Sequence, residues 1–232
     1  MKNTFHLLMS LVLLVMPATA ALAGVEGIDV SHHNGPVDWA AVKNNSVGFA
    51  YVKASEGMDD KDPLFSANWS SLSQQGVPRG AYHFYITEDD PQEQAKLFLS
   101  VYQPQNGDLL PAIDIELLGK GTTKDAPQKL AAFVDLIRTA IGASPVIYTS
   151  ARFWDTDMAS SPELLAAIKD CPLWIAEYEV AAPKIPEGWT RWTIWQWDSG
   201  KKVPGITGGV DRNRLHQDLN IADIQIRTLK GS

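Results

Sequence analysis

Cysteine is nearly absent from this chain: among 232 residues there is one, Cys171. A single thiol cannot close an internal disulfide, so stability has to come from a packed core, with Cys171 expected as a small buried apolar residue beside Pro172. Histidine is scarce too, and its five copies form neither a His-x-x-x-His pair nor a His/Cys cluster, so no metal and no cofactor are expected. His32 and His33 are adjacent, which points them to opposite strand faces or into a turn and makes them a poor chelate. Positive charge is in deficit. A formal net charge of −7 argues against a nucleic-acid partner and gives no long-range pull toward an anionic surface or polymer. There is no internal repeat, low-complexity tract or linker.

What is present begins with the N-terminus. Met1-Lys2-Asn3, an apolar run from Leu7 to Met16 too short to span a bilayer, and the small-residue site Ala21-Leu22-Ala23 make up the parts of a secretory signal, with cleavage expected before Gly24. No Cys follows that site, so no lipid anchor is expected. The mature chain, residues 24–232, is then an exported protein, periplasmic or extracellular, with no membrane anchor. About 210 residues suit one large domain, and a monomer is the simplest state. Eight Trp and six Tyr favour a ligand with flat apolar faces and hydroxyls, although packing alone can use most of them.

Apolar, β-rich runs fall at Val25–Val30, Val47–Lys53, Arg79–Tyr85, Leu109–Ile115, Pro145–Thr149, Leu173–Ala176, Trp192–Trp197 and a short Gly209–Asp211. Helical patterns separate the first five, over Trp39–Asn44, Phe65–Gln75, Gln92–Tyr102 and Pro127–Ile141, with Asp38 and Asp90 placed as N-caps. Strand then helix, repeated, means parallel pairing through crossovers. Arg152–Lys169 can hold one or two short helices. The later connectors carry Pro183, Pro186, Pro204 and several glycines, so the last strands are expected to join by loops and to run partly antiparallel. The fold class is α/β: a TIM-like barrel with incomplete helical cladding.

In such a barrel the chemistry sits where the strands end. The strand-end residues are Asp29, Glu56, Tyr82 with His83, Asp114 with Glu116, Tyr148, Glu177 with Tyr178, Gln196 flanked by Trp195 and Trp197, and Asp211. A stable barrel needs no such ring; collected, it describes a carbohydrate cleft. At its centre is Asp114-Ile115-Glu116, two carboxyls on one strand face with no basic residue before Lys120. A salt-bridged pair at a sheet edge is the bland alternative. Crowded acids raise at least one another's pKa, which keeps a proton available. The longer Glu116, one step nearer the strand end, is expected to carry it.

The stretches Gly27-Ile28-Asp29-Val30-Ser31-His32-His33-Asn34-Gly35, Tyr51-Val52-Lys53-Ala54-Ser55-Glu56-Gly57, Gly80-Ala81-Tyr82-His83-Phe84-Tyr85, Asp114-Ile115-Glu116, Trp195-Gln196-Trp197 and Val210-Asp211-Arg212-Asn213 together resemble glycoside hydrolase family 25, the muramidases often called lysozymes. The resemblance spans nearly the whole mature chain. It implies a (β/α)5(β)3 barrel acting on peptidoglycan glycan strands at the β-1,4 bond between N-acetylmuramic acid and N-acetylglucosamine. By matching position it also implies Glu116 as general acid, Asp114 as its partner, and Asp29 and Asp211 as supporting acids. Glu177 and Asp198 depart from the residues more usual in the family, and both add negative charge near the mouth.

The spacing leaves the route open, because rotamers at i and i+2 reach both the short nucleophile separation and the longer inverting one. A third route uses the substrate's own acetamide, with Asp114 orienting it. Two other functions compete: a catalytically silent peptidoglycan-binding protein and a chitinase-like hydrolase of N-acetylglucosamine polymers. His83 is expected to be a hydrogen-bonded structural histidine, though it stands at a strand end. Lys53 and Glu56 read as an exposed ion pair worth about 1 kcal/mol or less, with Glu56 as a rim contact. Trp195 and Trp197 share one face and Gln196 takes the other; alternation does not say which faces the cleft.

Overall fold

The computed structural model describes residues 24–119, 124–159 and 161–229, so the expected signal segment lies outside the described residues. Nine strands form one sheet: β1 (Glu26–Val30), β2 (Phe49–Glu56), β3 (Asp60–Lys61), β4 (Arg79–Phe84), β5 (Ala112–Asp114), β6 (Val146–Thr149), β7 (Leu173–Ala176), β8 (Ile194–Lys201) and β9 (Val210–Leu215). Their order is β1-β9-β8-β7-β6-β5-β4-β2-β3, and β1 also pairs with β2. That extra pairing closes an eight-stranded barrel, with β3 left outside it as a short hairpin on the end of β2. Only β9 runs against its barrel neighbours.

The helices α1 (Trp39–Lys43), α2 (Phe65–Gln75), α3 (Pro91–Val101) and α4 (Ala126–Ile141) lie in the first four crossovers. Asp38 accepts from the backbone of Ala40 and Ala41, and Asp90 from Gln92 and Glu93, so both expected caps satisfy otherwise orphaned donors. Gly76 and Gly142 take the left-handed conformation that ends α2 and α4. After β6 the chain makes α5 (Ala151–Phe153), a π turn over Trp154–Met158, and α6 (Pro162–Ala167). The connectors after β7 and β8 hold no helix.

β5, β8 and β9 depart most from the sequence pattern, each for a local reason, while β2 runs on to Glu56 and the short β3 was not expected. Pro111 has no N–H to give a ladder, so β5 begins at Ala112, and Leu109 makes only an isolated bridge to Gln225. β8 and β9 run well past the expected ends because they pair as a long antiparallel ribbon through Lys201 and Val210.

The core has two main layers. Inside the barrel, Phe49, Tyr51, Ala112, Val146, Trp174, Ile194 and Leu215 fill the lower interior. Alternate residues of the same strands, Ile28, Val52, Ala81, Ile113 and Ile147, pack outward against Trp39, Leu72, Phe98, Phe133 and Ile137 of the helices. Each large side chain so buried contributes roughly 1.5–3 kcal/mol relative to exposure. Over β7 and β8, Leu173, Ile175 and Trp195 are covered by loop residues Ile185, Trp189 and Trp192 where a helix would otherwise lie. With the interior filled below, the space above it opens only at the strand ends.

Candidate active site

That upper space is a cavity of about 400 Å³ lined by Asp29, Ser31, His33, Lys53, Glu56, Tyr82, Phe84, Asp114, Glu116, Tyr148, Trp174, Tyr178, Gln196, Ser199 and Asp211. A larger surface cleft of about 500 Å³ opens at the opposite end, where β7 and β8 begin. The smaller cavity is the one that gathers facing carboxyls, and chemistry is assigned to it for that reason.

Alternation along each strand puts these groups inside. Asp29 is the penultimate residue of β1 and Asp114 the last of β5, whereas Glu116 lies past its strand, solvent-exposed at the rim. Asp211 arrives differently. It stands near the start of β9, and because β9 is antiparallel its start lies beside the ends of the other strands, with Asp211 directly opposite Asp29. Sequence reasoning put Asp211 at the end of a short strand; the reversed direction of β9 brings it to the same mouth.

Asp29 Oδ2 accepts from Asn213 Nδ2 at 2.7 Å and from Gln196 Nε2 at 2.9 Å. Burial, with the Asp211 charge added to it, still raises the Asp29 carboxyl well above its ordinary value. Asp114 sits in the same state for the same reason: burial first, then the charges of Glu116 and Asp29. Its Oδ1 is shielded from solvent and has no protein partner. Partial desolvation at the rim raises Glu116 and the Asp211 charge adds to it, while a hydrogen bond from Tyr148 and the Lys53 ammonium oppose. Asp211 is raised by burial and by Asp198, itself paired with Lys201 at 3.1 Å. So Asp198 acts on the site through its charge.

Lys53 is the cation of this cavity, buried and bonded to Glu56 Oε2 at 2.5 Å. The expected exposed pair is therefore a buried one at Lys53. Lys53 follows Phe49 and Tyr51 on the inner face by alternation, and a bulge at Ala54, where Lys53 pairs with Tyr82 and Ser55 with His83, shifts the period so that Glu56 turns inward as well.

Several expected cleft residues lie elsewhere. His83 is fully buried and faces the helices, stacked on Phe133, with Nδ1 2.9 Å from Ser55 Oγ and Nε2 3.1 Å from Gln94 Oε1. Gln94 Oε1 already accepts from Ile86 N–H, so His83 carries its proton on Nε2 and accepts from Ser55. Trp195 and Trp197 point outward. Trp195 donates to the Glu177 carbonyl at 2.7 Å, and Trp197 packs near Arg214 and donates to Glu26 at 3.3 Å. Glu177 turns to a neighbouring depression and accepts from Lys184 N–H at 2.6 Å. His33 lines the cavity, while His32 bonds Asp62 at 2.9 Å.

Asn213 and Trp174 were missed as site residues. Asn213 is fully buried and receives Trp174 Nε1 at 2.8 Å while giving to Asp29. Its signal was legible, since Asn213 follows Asp211 by two and shares its face.

A barrel whose mouth gathers five carboxyls, three tyrosines and a buried amide around an open cavity has the makings of a glycoside-cleaving site. The match to the model of glycosyl hydrolases family 25 over residues 28–206 shows that the chain belongs to that family and is a glycoside hydrolase. It is 35% identical to lysozyme M1 of Streptomyces globisporus over 207 residues, covering 85% of this chain and 69% of that one. Its fold matches the bacterial lysozyme from Streptomyces coelicolor with a TM-score of 0.78 at 34% identity, covering 87% of this chain and 95% of that one. The muramidase from Acremonium alcalophilum gives a TM-score of 0.75 at 29% identity, over 86% and 96% of the two chains. Among the described residues no helix is long and apolar enough to cross a membrane.

Proposed function

We propose that the chain is an exported N-acetylmuramidase that hydrolyses the β-1,4 bond between N-acetylmuramic acid and N-acetylglucosamine in peptidoglycan. Glu116 is the general acid, Asp114 orients the substrate acetamide, and Asp29 and Asp211 hold the field around them. The observation that carries this reading is the difference in depth between two raised acids: Glu116 at the open rim, and Asp114 below it with Oδ1 unpartnered. Cleavage through an oxocarbenium-like state requires a proton at the departing oxygen and negative charge near the anomeric carbon. A rim acid reaches the former. A deep carboxyl with a free acceptor oxygen suits an acetamide N–H, and as a carboxylate it places negative charge near the anomeric carbon.

Tyr82, Tyr148, Tyr178 and Glu56 line the space a sugar would fill, and Trp174 forms part of its floor. Export rests on the N-terminal segment, read from sequence as a cleaved signal. Digestion of purified peptidoglycan tests the reading, with Glu116→Gln as control. Soluble muropeptides with new reducing muramic ends, lost in the variant, are expected. Release from chitin and none from peptidoglycan would overturn the substrate, and a covalent sugar trapped on Asp114 would overturn the acetamide route.

A further inference from the structure

A depression of about 270 Å³ lies over the edge of the catalytic cavity, where the connector after β7 passes the outer side of β8. Tyr178 and Ser199 line both spaces, so the two meet over one rim. Val180 and Tyr178 are each 40% exposed, and with Trp197 they give the depression an apolar wall. Its polar side chains are one-sided. Trp195 gives its indole N–H to the Glu177 carbonyl at 2.7 Å and Trp197 gives its own to Glu26 at 3.3 Å, both outside the depression. The Tyr178 hydroxyl donates to Gln196 on the cavity side. What is left is the Ser199 hydroxyl and two carboxyls, Glu179 and Asp198.

The two carboxyls differ in their partners. Asp198 is paired with Lys201 at 3.1 Å, whereas Glu179 has no hydrogen bond or ion pair among the described residues. In the neighbouring depression beyond β7 the acids are satisfied from within: Lys184 Nζ lies 2.5 Å from Asp155, and its backbone N–H gives to Glu177 at 2.6 Å. A set of acceptors with a single hydroxyl suits a ligand that only donates. Sugar hydroxyls both give and take hydrogen bonds and would find few donors among these side chains. An ammonium has donors and no acceptor, and the alkyl arm that carries it lies on apolar side chains while its head meets a carboxylate.

We propose that this depression binds an alkyl ammonium group on the peptide that N-acetylmuramic acid carries through its lactyl group, with Glu179 and Asp198 taking the ammonium and Val180 and Trp197 the methylenes behind it. The inference rests on the muramidase reading of the cavity: a muramic residue lodged there has a peptide to send over the rim at Tyr178 and Ser199, and that rim leads into the depression. Charge and shape agree on the occupant, since the acids lie at the end of an apolar wall continuous with the place where the sugar sits.

The test uses three soluble substrates: glycan strands whose uncross-linked peptides bear a free side-chain amine, the same strands with that amine acetylated, and strands stripped of peptide. Binding is measured by calorimetry on the full chain carrying Glu116→Gln, and kcat and KM on the chain with Glu116 intact. Acetylation should weaken binding roughly tenfold, the loss of an ammonium held by two carboxylates. Adding Glu179→Gln, which keeps the side chain's size at a residue with φ 58°, should weaken binding of the amine-bearing strand roughly threefold to fivefold and leave the other two unchanged. KM should follow these changes while kcat stays level, because the ammonium is held outside the cavity where the bond breaks. Equal affinity for free and acetylated strands would overturn the proposal, as would a Glu179→Gln variant that weakens all three substrates alike. The acetylated strand needs no change at position 179, so the proposal is open to refutation even if Glu179→Gln does not fold. Failure of the muramidase reading is separately visible: no new reducing muramic ends would appear from any of the three substrates, while calorimetry still reports on the amine.

Discussion

Acidification should unfold this protein through His83, and the size of the effect follows from its surroundings. His83 is fully buried among Phe98, Phe133 and Gln94, and burial pushes it down to about 4 from an ordinary value of 6.5. The folded chain therefore keeps it neutral where the unfolded chain protonates it. Between pH 6.5 and about 4 the unfolded state binds the additional proton, so the contribution of His83 to stability falls as pH falls through that window. A shift from 6.5 to about 4, at about 1.4 kcal/mol per unit, makes the full loss about 3 kcal/mol. A typical domain has only about 5–15 kcal/mol in all. The perturbation is His83→Gln, whose amide can still give to Gln94 and accept from Ser55 but does not titrate. Urea unfolding of both proteins at pH 7, 6, 5 and 4 measures it. Lost ring packing offsets the variant by a constant, and the acids at the mouth contribute to both curves, so the difference between the curves isolates His83. It should shrink by about 3 kcal/mol from pH 7 to pH 4. Parallel curves would refute the argument.

The mouth acids act with the opposite sign. Asp114 is raised in the fold, so its stabilising contribution is complete below the unfolded value of about 3.9 and is lost as pH rises through the folded value. Asp114→Asn should therefore be inactive on peptidoglycan yet more heat-stable than the wild type at pH 7, the gain vanishing toward pH 4 in scanning calorimetry. Arg79 holds Asp108 at 3.0 Å in a buried pair and lies 4.1 Å from the Trp69 ring centroid, so Arg79→Met should cost about 3–5 kcal/mol in urea unfolding, with Asp108 left uncompensated. Trp195→Ala should lower stability by about 3–5 kcal/mol while leaving KM for glycan within about twofold, because Trp195 packs on Leu173 and Ile175 and faces away from the cavity.

Much of the barrel was legible because strands alternate and end in polar residues. Alternation put Tyr82 and His83 on opposite faces, and Trp195 and Gln196 likewise. It could not say which face was inside, since that depends on barrel closure. Gln196 lies beside Asn213 on β9, which pairs with β1, and this pairing turns the amide toward Asp29. The inward turn of Glu56 was hidden for another reason: a bulge at Ala54 breaks the period of two, and nothing in Tyr51-Val52-Lys53-Ala54-Ser55-Glu56 marks it. The Asp114–Glu116 spacing read as a strand pair, yet β5 stops at Asp114, so the reach of Glu116 comes from the loop beyond it. The reversed direction of β9 was expected only in general terms, and it alone explains how Asp211 joins Asp29.

That Asp29–Asp211 pairing is a cost that a purely stable barrel would avoid, since like charges directly opposite on antiparallel strands repel. An arginine at position 213 would relieve it, and would also hold Asp29 ionised through the whole pH range. The chain instead meets Asp29 with two amides, Asn213 and Gln196. Amides donate to a carboxylate without adding a fixed charge, so the proton count of the acids above stays free to change. The outer face of the same two strands shows the contrast: there Glu26 is held by Arg212 at 3.1 Å and Arg214 at 2.7 Å, a pairing built to stay charged. The β1–β9 ribbon thus meets the carboxylate on its outer face with arginines and Asp29 on its inner face with the amide of Asn213, and under the proposed function only the inner acids share a cavity with the proton donor.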